Sequence, residues 1–407
     1  MRVSIICTGT ELLKGTTVNT NLAFIGQQLA EIGIVPFRAL VVGDSAADMR
    51  QALESAAADS ELIITTGGLG PTRDDLTRNA VCDFLGLKLK RDPEIVDELT
   101  RRWMRRYSTT NTEPREDYLN QADVPENSTV LKNRIGTAPG LWVEGKVRII
   151  LLPGPPNELN PMFQNEAMPL LKKLAFKANY TVSFMVPCTS ELLVQDKIEP
   201  LVENLPIELA YCSSIEGVKT FLSGTDEKLV REKAAEAEKL FGDAVLADHR
   251  LAVAPEVFER LRKGAYTLGL AESCTGGMIA AAITDLPGAS KVFTGAIVSY
   301  SNAVKNKQLE VPQEILDKHG AVSRECVEAM VRGAAKNLEV DAAIAVSGIA
   351  GPDGGTAEKP VGTVHIAAFL KGEVITENYV FPGSRDSVRE RAKIRALLLL
   401  RQLLMKK

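Results

Sequence analysis

The 407-residue chain has few of the residues on which metal and acid–base chemistry usually depends. Its six cysteines (Cys7, Cys82, Cys188, Cys212, Cys274 and Cys326) are scattered, and no two form a CxxC pair. That spacing excludes a zinc ribbon and a disulfide framework, and it suits reduced thiols in a cytoplasmic protein. Histidine occurs three times, at His249, His319 and His365. His249 falls in a linker, His319 in a turn and His365 within a strand, so a Ser-His-Asp triad has little to draw on. No long apolar run is present. The stretch Ala396–Leu400 is far too short to span a bilayer. The N-terminus lacks the apolar core and cleavage pattern of a secretory signal. A formal net charge of −4 leaves no global basic field, so neither membrane nor direct nucleic-acid contact is expected. The one dense basic run, Arg101 to Tyr107, carries Trp103 and Tyr107, which could stack on bases. At helical spacing, Trp103 and Met104 read instead as packing residues beside solvated arginines.

Apolar residues make up 45% of the chain and charged residues 25%, which is ordinary globular usage and supports two to four domains. Residues 1–174 alternate strands and helices: strands at Val3–Cys7, Phe37–Val42, Glu61–Thr65 and Val147–Leu151, helices at Asn21–Ile32 and Ala46–Ala58. This pattern indicates an α/β domain with a parallel sheet and helices on both faces. Residues 178–249 read as a small α+β unit, with strands at Thr181–Pro187, Ile207–Cys212 and Val218–Leu222. Helices are expected there at Glu191–Glu203 and Asp226–Phe241, with a short strand to follow. Residues 253–407 return to α/β. Strands are expected at Thr267–Leu270 and Ala342–Val346. A hairpin joins Val361–Leu370 to Glu373–Phe381 through Lys371-Gly372, and a terminal helix is capped at Ser384 or Asp386.

Three C-terminal stretches could carry chemistry. Ala271-Glu-Ser-Cys-Thr-Gly-Gly277 joins a strand to a helix. There Ser273 could be a nucleophile, and the backbone at Thr275 and Gly276 could hold phosphate or an oxyanion. The same residues also read as a tight turn with a hydroxyl cap. A serine nucleophile needs a base, and Tyr300-Ser-Asn-Ala-Val-Lys305 offers one: a desolvated Lys305 acting directly or through the Tyr300 hydroxyl. An exposed lysine at a helix start is the plainer alternative. Ser347 and Gly348 open a Gly-rich loop after a buried strand, where backbone can approach a ligand closely. Lys359 and Arg385 could neutralise a phosphate. Arg385 also stands at a helix start, where a cation opposes the dipole, and that placement favours a functional role.

In the N-terminal part, polar loops follow three strands, at the sheet end where α/β ligands sit. One carries Asp44. Another runs from Gly67 through Gly68 and Gly70 to Asp74 and Asp75, whose carboxylates could hold Mg²⁺ against phosphate oxygens. Leu152-Pro-Gly-Pro-Pro156, with Gly154 and Pro155, could line the same cleft. Asp74 or Asp75 could instead cap the following helix.

Taken together, these stretches resemble the CinA family of competence/damage-inducible proteins over essentially the whole chain. The marks are Gly9-Thr-Glu-Leu-Leu13, Asn19-Thr-Asn21, Val42-Gly-Asp44, Thr65–Thr77, Gly136-Thr-Ala-Pro-Gly140 and Leu152–Glu158. They continue with Ala271–Gly277, Tyr300-Ser-Asn302 with Lys305, His319–Ser323, Ser347–Gly355 and Lys359–Thr363. The resemblance implies a molybdopterin-binding-like N-terminal domain, a KH-like middle domain and a C-terminal nicotinamide mononucleotide deamidase. Ser273 would be the nucleophile and Tyr300 with Lys305 the general-base pair. Ser347 and Gly348 would lie by the substrate, and Arg385 would hold its phosphate. In relatives the N-terminal domain can be an ADP-ribose pyrophosphatase using a divalent metal (Mg, Mn or Co). Asp75 and Glu158 would be its metal carboxylates and Asp44 a cleft partner. The pattern departs at Tyr118 and Asn120, where an asparagine and a basic residue are expected. A homodimer is implied as well. Two other readings stay open: an N-terminal module that binds a pterin or nucleotide without turnover, and an accessory of DNA uptake or recombination.

Overall fold

A computed structural model describes residues 1–107, 112–174, 179–246 and 250–407. His249 and the boundary residue at 178 lie outside the described residues. The chain forms two compact units, Met1–Thr181 with Gly224–Glu227 and Val182–Ser223 with Lys228–Lys407.

In the first unit, β1 (Val3–Thr8), β2 (Arg38–Val42) and β3 (Leu62–Thr66) form close to their expected bounds. Two short strands, β4 (Leu89–Arg91) and β5 (Asp123–Pro125), pair with each other apart from the main sheet. The main sheet is completed by β6 (Ser128–Leu131), β7 (Gly140–Val143) and β8 (Arg148–Leu152) in the order β2-β1-β3-β8-β7-β6. Strands β2, β1, β3 and β8 are parallel. The expected all-parallel sheet is corrected at one edge, where β7 and β6 run antiparallel. Both are four residues long, too short for a periodic signal, and they follow each other without a crossover helix. Apolar residues on the two faces of this sheet pack into two separate cores. Ile5, Ile64 and Ile150 face one, and Ile6, Ile63 and Ile149 the other. Neighbouring residues on one strand therefore serve opposite layers, as the two-residue strand period requires. The helix Thr20–Ala30 starts where Asn19 accepts a hydrogen bond from the Leu22 N–H.

In the second unit, β9 (Tyr180–Pro187), β10 (Glu208–Ser213) and β11 (Gly217–Gly224) make a three-stranded sheet with its own core around Phe184, Val194 and Val230. The short strand expected after Phe241 does not form among the described residues. A 3₁₀ turn at Gly242–Ala244 takes its place, and Leu246 gives a single hydrogen bond to the Met185 carbonyl. Met185 and Leu246 belong to the large core of the C-terminal segment, so the middle segment joins that unit. Arg401 secures the junction from the last helix. Its guanidinium donates to the carbonyls of Asp243 and Val245, each at 2.7 Å.

The larger sheet of this unit contains β12 (Leu268–Glu272), β13 (Phe293–Val298), β14 (Ala342–Gly348), β15 (Thr363–Leu370) and β16 (Glu373–Val380), ordered β13-β12-β14-β15-β16. β12 is parallel to β13 and β14, so Ser273 and Ser347 emerge at the same sheet end. The β15–β16 hairpin forms at Lys371-Gly372, where both residues have positive φ (45° and 96°), as a tight two-residue turn requires. The terminal helix Arg385–Leu404 is capped by Ser384, whose hydroxyl accepts from the Ser387 N–H. No helix among the described residues is long and apolar enough to cross a membrane.

Candidate functional site

Two constellations emerge, one in each unit. In the second unit β12 delivers Ser273, which is 7% exposed, at its C-terminal end. The helix Asn302–Leu309 is capped by Ser301 and turns Lys305 inward on the same face as Leu309. Residues four apart on a helix share a face, so the buried Leu309 takes Lys305 in with it. Lys305 is 1% exposed, and its ammonium nitrogen lies 3.0 Å from Ser273 Oγ and 2.6 Å from the Ser299 carbonyl. No carboxylate forms an ion pair with it among the described residues. Burial therefore dominates and pulls the amine below the ordinary lysine range, while the nearby thiols of Cys326 and Cys274 oppose the shift only in part. Desolvation in turn pushes both thiols up to about 11, so they stay protonated at neutral pH.

Tyr300 is not brought to Ser273 with Lys305. Its side chain is 64% exposed, and its hydroxyl accepts a hydrogen bond from Arg385 at 3.1 Å. Of the expected base pair, only Lys305 lies within hydrogen-bond reach of Ser273. Arg385 also donates to the Gly351 carbonyl at 2.7 Å, which fixes its guanidinium beside the Gly-rich loop after β14. Ser347 is buried, and its hydroxyl is spent on the Ala321 carbonyl. Gly348 pairs with Val364 in the sheet, where a Cβ would meet the Thr363 carbonyl oxygen at 2.8 Å. Lys359 donates to the His319 carbonyl at 2.8 Å rather than to any group at Ser273. Neither described histidine contacts Ser273. His319 lies 3.6 Å from Glu325, and His365 stands in β15 opposite Ser347.

The turn after Ser273 needs its paired glycines, since Gly276 and Gly277 have φ of 61° and 98°. The helix start beyond them, however, is not open to an anion. Glu272, fully buried, fills it by accepting from the N–H groups of Gly277, Ile279 and Ala280 at 2.9, 3.2 and 2.9 Å. The N–H groups of Cys274 and Thr275 donate to no other residue among those described. Thr275 is itself buried, and its hydroxyl lacks a partner. Sequence reasoning passed over Glu272 and also Arg389, which donates to the Cys274 and Thr275 carbonyls. Glu272 sits next to Ser273 in the quoted motif, so its position was a usable signal. Arg389, from the far end of the chain, left none.

In the first unit the expected cleft residues line one cavity of about 390 Å³: Asp44, Gly67, Gly68, Gly70, Asp74, Asp75, Gly154, Pro155 and Glu158. Glu11, Gln121 and Thr137 join them. Gly67 and Gly68 have φ of 94° and 68°, and a Cβ on Gly67 would meet the Thr8 carbonyl oxygen at 2.5 Å. Asp44 accepts from the Thr10 N–H and hydroxyl. Asp75 is not the cap of the next helix. It accepts from the Thr72 N–H and hydroxyl at 2.8 and 2.6 Å, closing its own loop. Glu158 accepts from Asn133 at 2.8 Å. Five carboxylates and no Lys or Arg line this cavity. A diphosphate would be repelled there without a cation. Among the described residues no group of three or more His, Cys, Asp and Glu side chains forms a cage for a metal. The donor set fits instead a hard cation held by one or two carboxylates and completed by phosphate and water. Tyr118 and Asn120 point elsewhere: Tyr118 packs at a tilt against Trp103, ring centroids 4.8 Å apart, and Asn120 accepts from Arg91. Trp103 is partly buried, packs also on Tyr107 and donates to the Thr112 carbonyl, while Arg101 is solvated.

Residues 250–404 match the family described as the CinA C-terminal domain, and residues 4–173 match the probable molybdopterin binding domain. A CinA-like protein of Kosmotoga olearia is 40% identical over 420 residues, covering 100% of this chain and 99% of its own. One from Dictyoglomus thermophilum is 36% identical over 410 residues, covering 99% of each. Among solved structures, the competence/damage inducible protein CihA from Agrobacterium tumefaciens is 38% identical over 37% of this chain and 93% of its own, with a TM-score of 0.37. Its likeness to full-length relatives from end to end means that the chain belongs to the CinA family.

Proposed function

We propose that the C-terminal site hydrolyses the carboxamide of nicotinamide mononucleotide to nicotinate mononucleotide and ammonia. The observation that carries this reading is the buried Lys305 amine 3.0 Å from Ser273 Oγ. An amine whose proton affinity is lowered by burial is a base near neutral pH. Ser273 Oγ attacks the carboxamide carbon as Lys305 takes its proton. The oxygen that becomes negative is met by the N–H groups of Cys274 and Thr275. Lys305 then gives the proton to the amide nitrogen, the C–N bond breaks and ammonia leaves. Water, deprotonated by the same amine, attacks the acyl-Ser273 ester. The ester C–O bond breaks, Ser273 regains its proton and the nicotinate product departs. Arg385 supports a phosphorylated substrate, and the CinA resemblance supplies its identity. The test is mass spectrometry of products after incubation with nicotinamide mononucleotide. Wild type should lose one NH and gain one O in the substrate, and Ser273→Ala should not; equal turnover in that variant removes Ser273 as nucleophile.

A second reading, for the first unit, is metal-dependent cleavage of the diphosphate of ADP-ribose. It is favoured by the carboxylate-lined, cation-free cavity. Asp75 and Glu158 would hold Mg²⁺, Mn²⁺ or Co²⁺, which when bound would neutralise the phosphate oxygens. Gly67, Gly68 and Gly70 would let the backbone approach the phosphates. The reading fails if ADP-ribose stays intact with each of the three metals. The domain is then better read as a module that binds a nucleotide or pterin without turnover.

A further inference from the structure

The loop that presents Ser273 is held by a charged side chain that the steps above do not use. Arg389, on the terminal helix, donates from Nε to the Cys274 carbonyl at 3.1 Å and from Nη2 to the Thr275 carbonyl at 3.0 Å. Among the described residues its one ion-pair partner is Asp386 at 3.9 Å, and that carboxylate is 93% exposed, so the guanidinium charge is little neutralised. The carbonyl of one residue and the N–H of the next belong to one peptide group. A cation bonded to the Cys274 oxygen therefore draws electrons from the Thr275 N–H, and one bonded to the Thr275 oxygen does the same for Gly276. The Gly276 N–H is already spent on the Ser273 carbonyl at 3.1 Å, whereas that of Thr275 is not.

From this geometry we infer that Arg389 is a positioning residue for acyl transfer: it fixes the Cys274–Gly276 backbone and polarises the Thr275 N–H that meets the developing oxyanion. The inference rests on Ser273 being the nucleophile. Glu272 makes the arrangement selective. It occupies the N–H groups at the helix start, so the unspent donors are those nearest Ser273.

The experiment compares Arg389→Ala, Arg389→Gln and Arg389→Lys with wild type in ammonia release from nicotinamide mononucleotide. Acylation by p-nitrophenyl acetate, followed as a burst, is the second substrate. A single oxyanion donor is worth about 10²–10³ in kcat, and weakening one rather than deleting it should cost about 10–100-fold. Arg389→Ala should show that loss in kcat and in burst rate, with KM within about twofold. Gln and Lys, each able to reach one carbonyl, should fall between. They also serve as the test if the Ala variant does not fold by circular dichroism. The pH profile should keep its shape, since Lys305 is untouched. A raised KM with unchanged kcat would mean that Arg389 binds substrate, and it overturns the inference, as does no change at all. Wild-type protein inert toward both substrates overturns the nucleophile reading and this inference together. An active wild type with an unaffected Arg389→Ala overturns this inference alone.

Discussion

The two sites of this CinA-family chain are built on opposite electrostatic plans. Around Ser273 the charged group is one lysine, buried without a carboxylate partner among the described residues, and the proposed chemistry draws on the removal of water. In the first unit five carboxylates line an open cavity and nothing offsets them. Under the diphosphate reading, that site would take a cation from solution to hold its substrate. The first plan needs tight packing and tolerates no loosening; the second needs only a spread of oxygens on glycine-rich loops. A site of the first kind should be insensitive to chelators and sensitive to pH, and one of the second kind the reverse.

Lys305→Met is the sharpest way to break the first plan. It removes the base while keeping the buried volume, and ammonia release should fall by about 10³-fold or more. Retained activity would return the base role to Tyr300. Asp75→Asn should abolish metal-dependent ADP-ribose cleavage, as should EDTA, while deamidation stays within about twofold under both; a chelator-sensitive deamidase would erase the contrast. Arg385→Ala should raise KM for nicotinamide mononucleotide by about 10-fold or more and leave kcat nearly intact, if its two hydrogen bonds hold a phosphate partner in place. Deamidation should rise with pH through the lowered Lys305 pKa and then level off, because the neutral amine is the base. The smallest effect is on stability. Folded Lys305 holds its proton less tightly than the unfolded chain, whose lysine value is near 10.5. Between the folded and unfolded values the unfolded state binds more protons, so stability gains with rising pH. Lys305→Met should therefore melt higher than wild type at neutral pH, with the gap closing as pH climbs toward 10.5. A variant that melts lower would mean that Lys305 is held by favourable contacts.

Much of this was readable from residue order alone. The first three strands of the first unit, the β15–β16 hairpin and the Ser384 cap follow from local periodicity and turn chemistry, which act over a few residues. The N-terminal positions named from loops, Asp74 among them, fall in one cavity, because loops at the same end of a parallel sheet must converge, and Glu158, named through the family resemblance, joins them from the helix that follows. What escaped was set by distant packing. The antiparallel edge β6–β7 carries too few residues for a period. Lys359 reads as a phosphate partner until the His319 carbonyl is found beside it. Tyr300 and Lys305 lie close in sequence, yet one stays in solvent and the other goes inside, because only Lys305 shares a helix face with Leu309. Arg389 reaches its carbonyls across more than a hundred residues, a pairing no local pattern encodes.

Arg401 bears on how this protein could be divided. The match to the CinA C-terminal domain begins at residue 250, which invites excision of that part here. A cut near residue 250 would take away the Asp243 and Val245 carbonyls and leave their cation to find water in a pocket shaped for peptide oxygen. The useful fragment begins instead near Val182, and the small middle sheet then travels with the C-terminal segment.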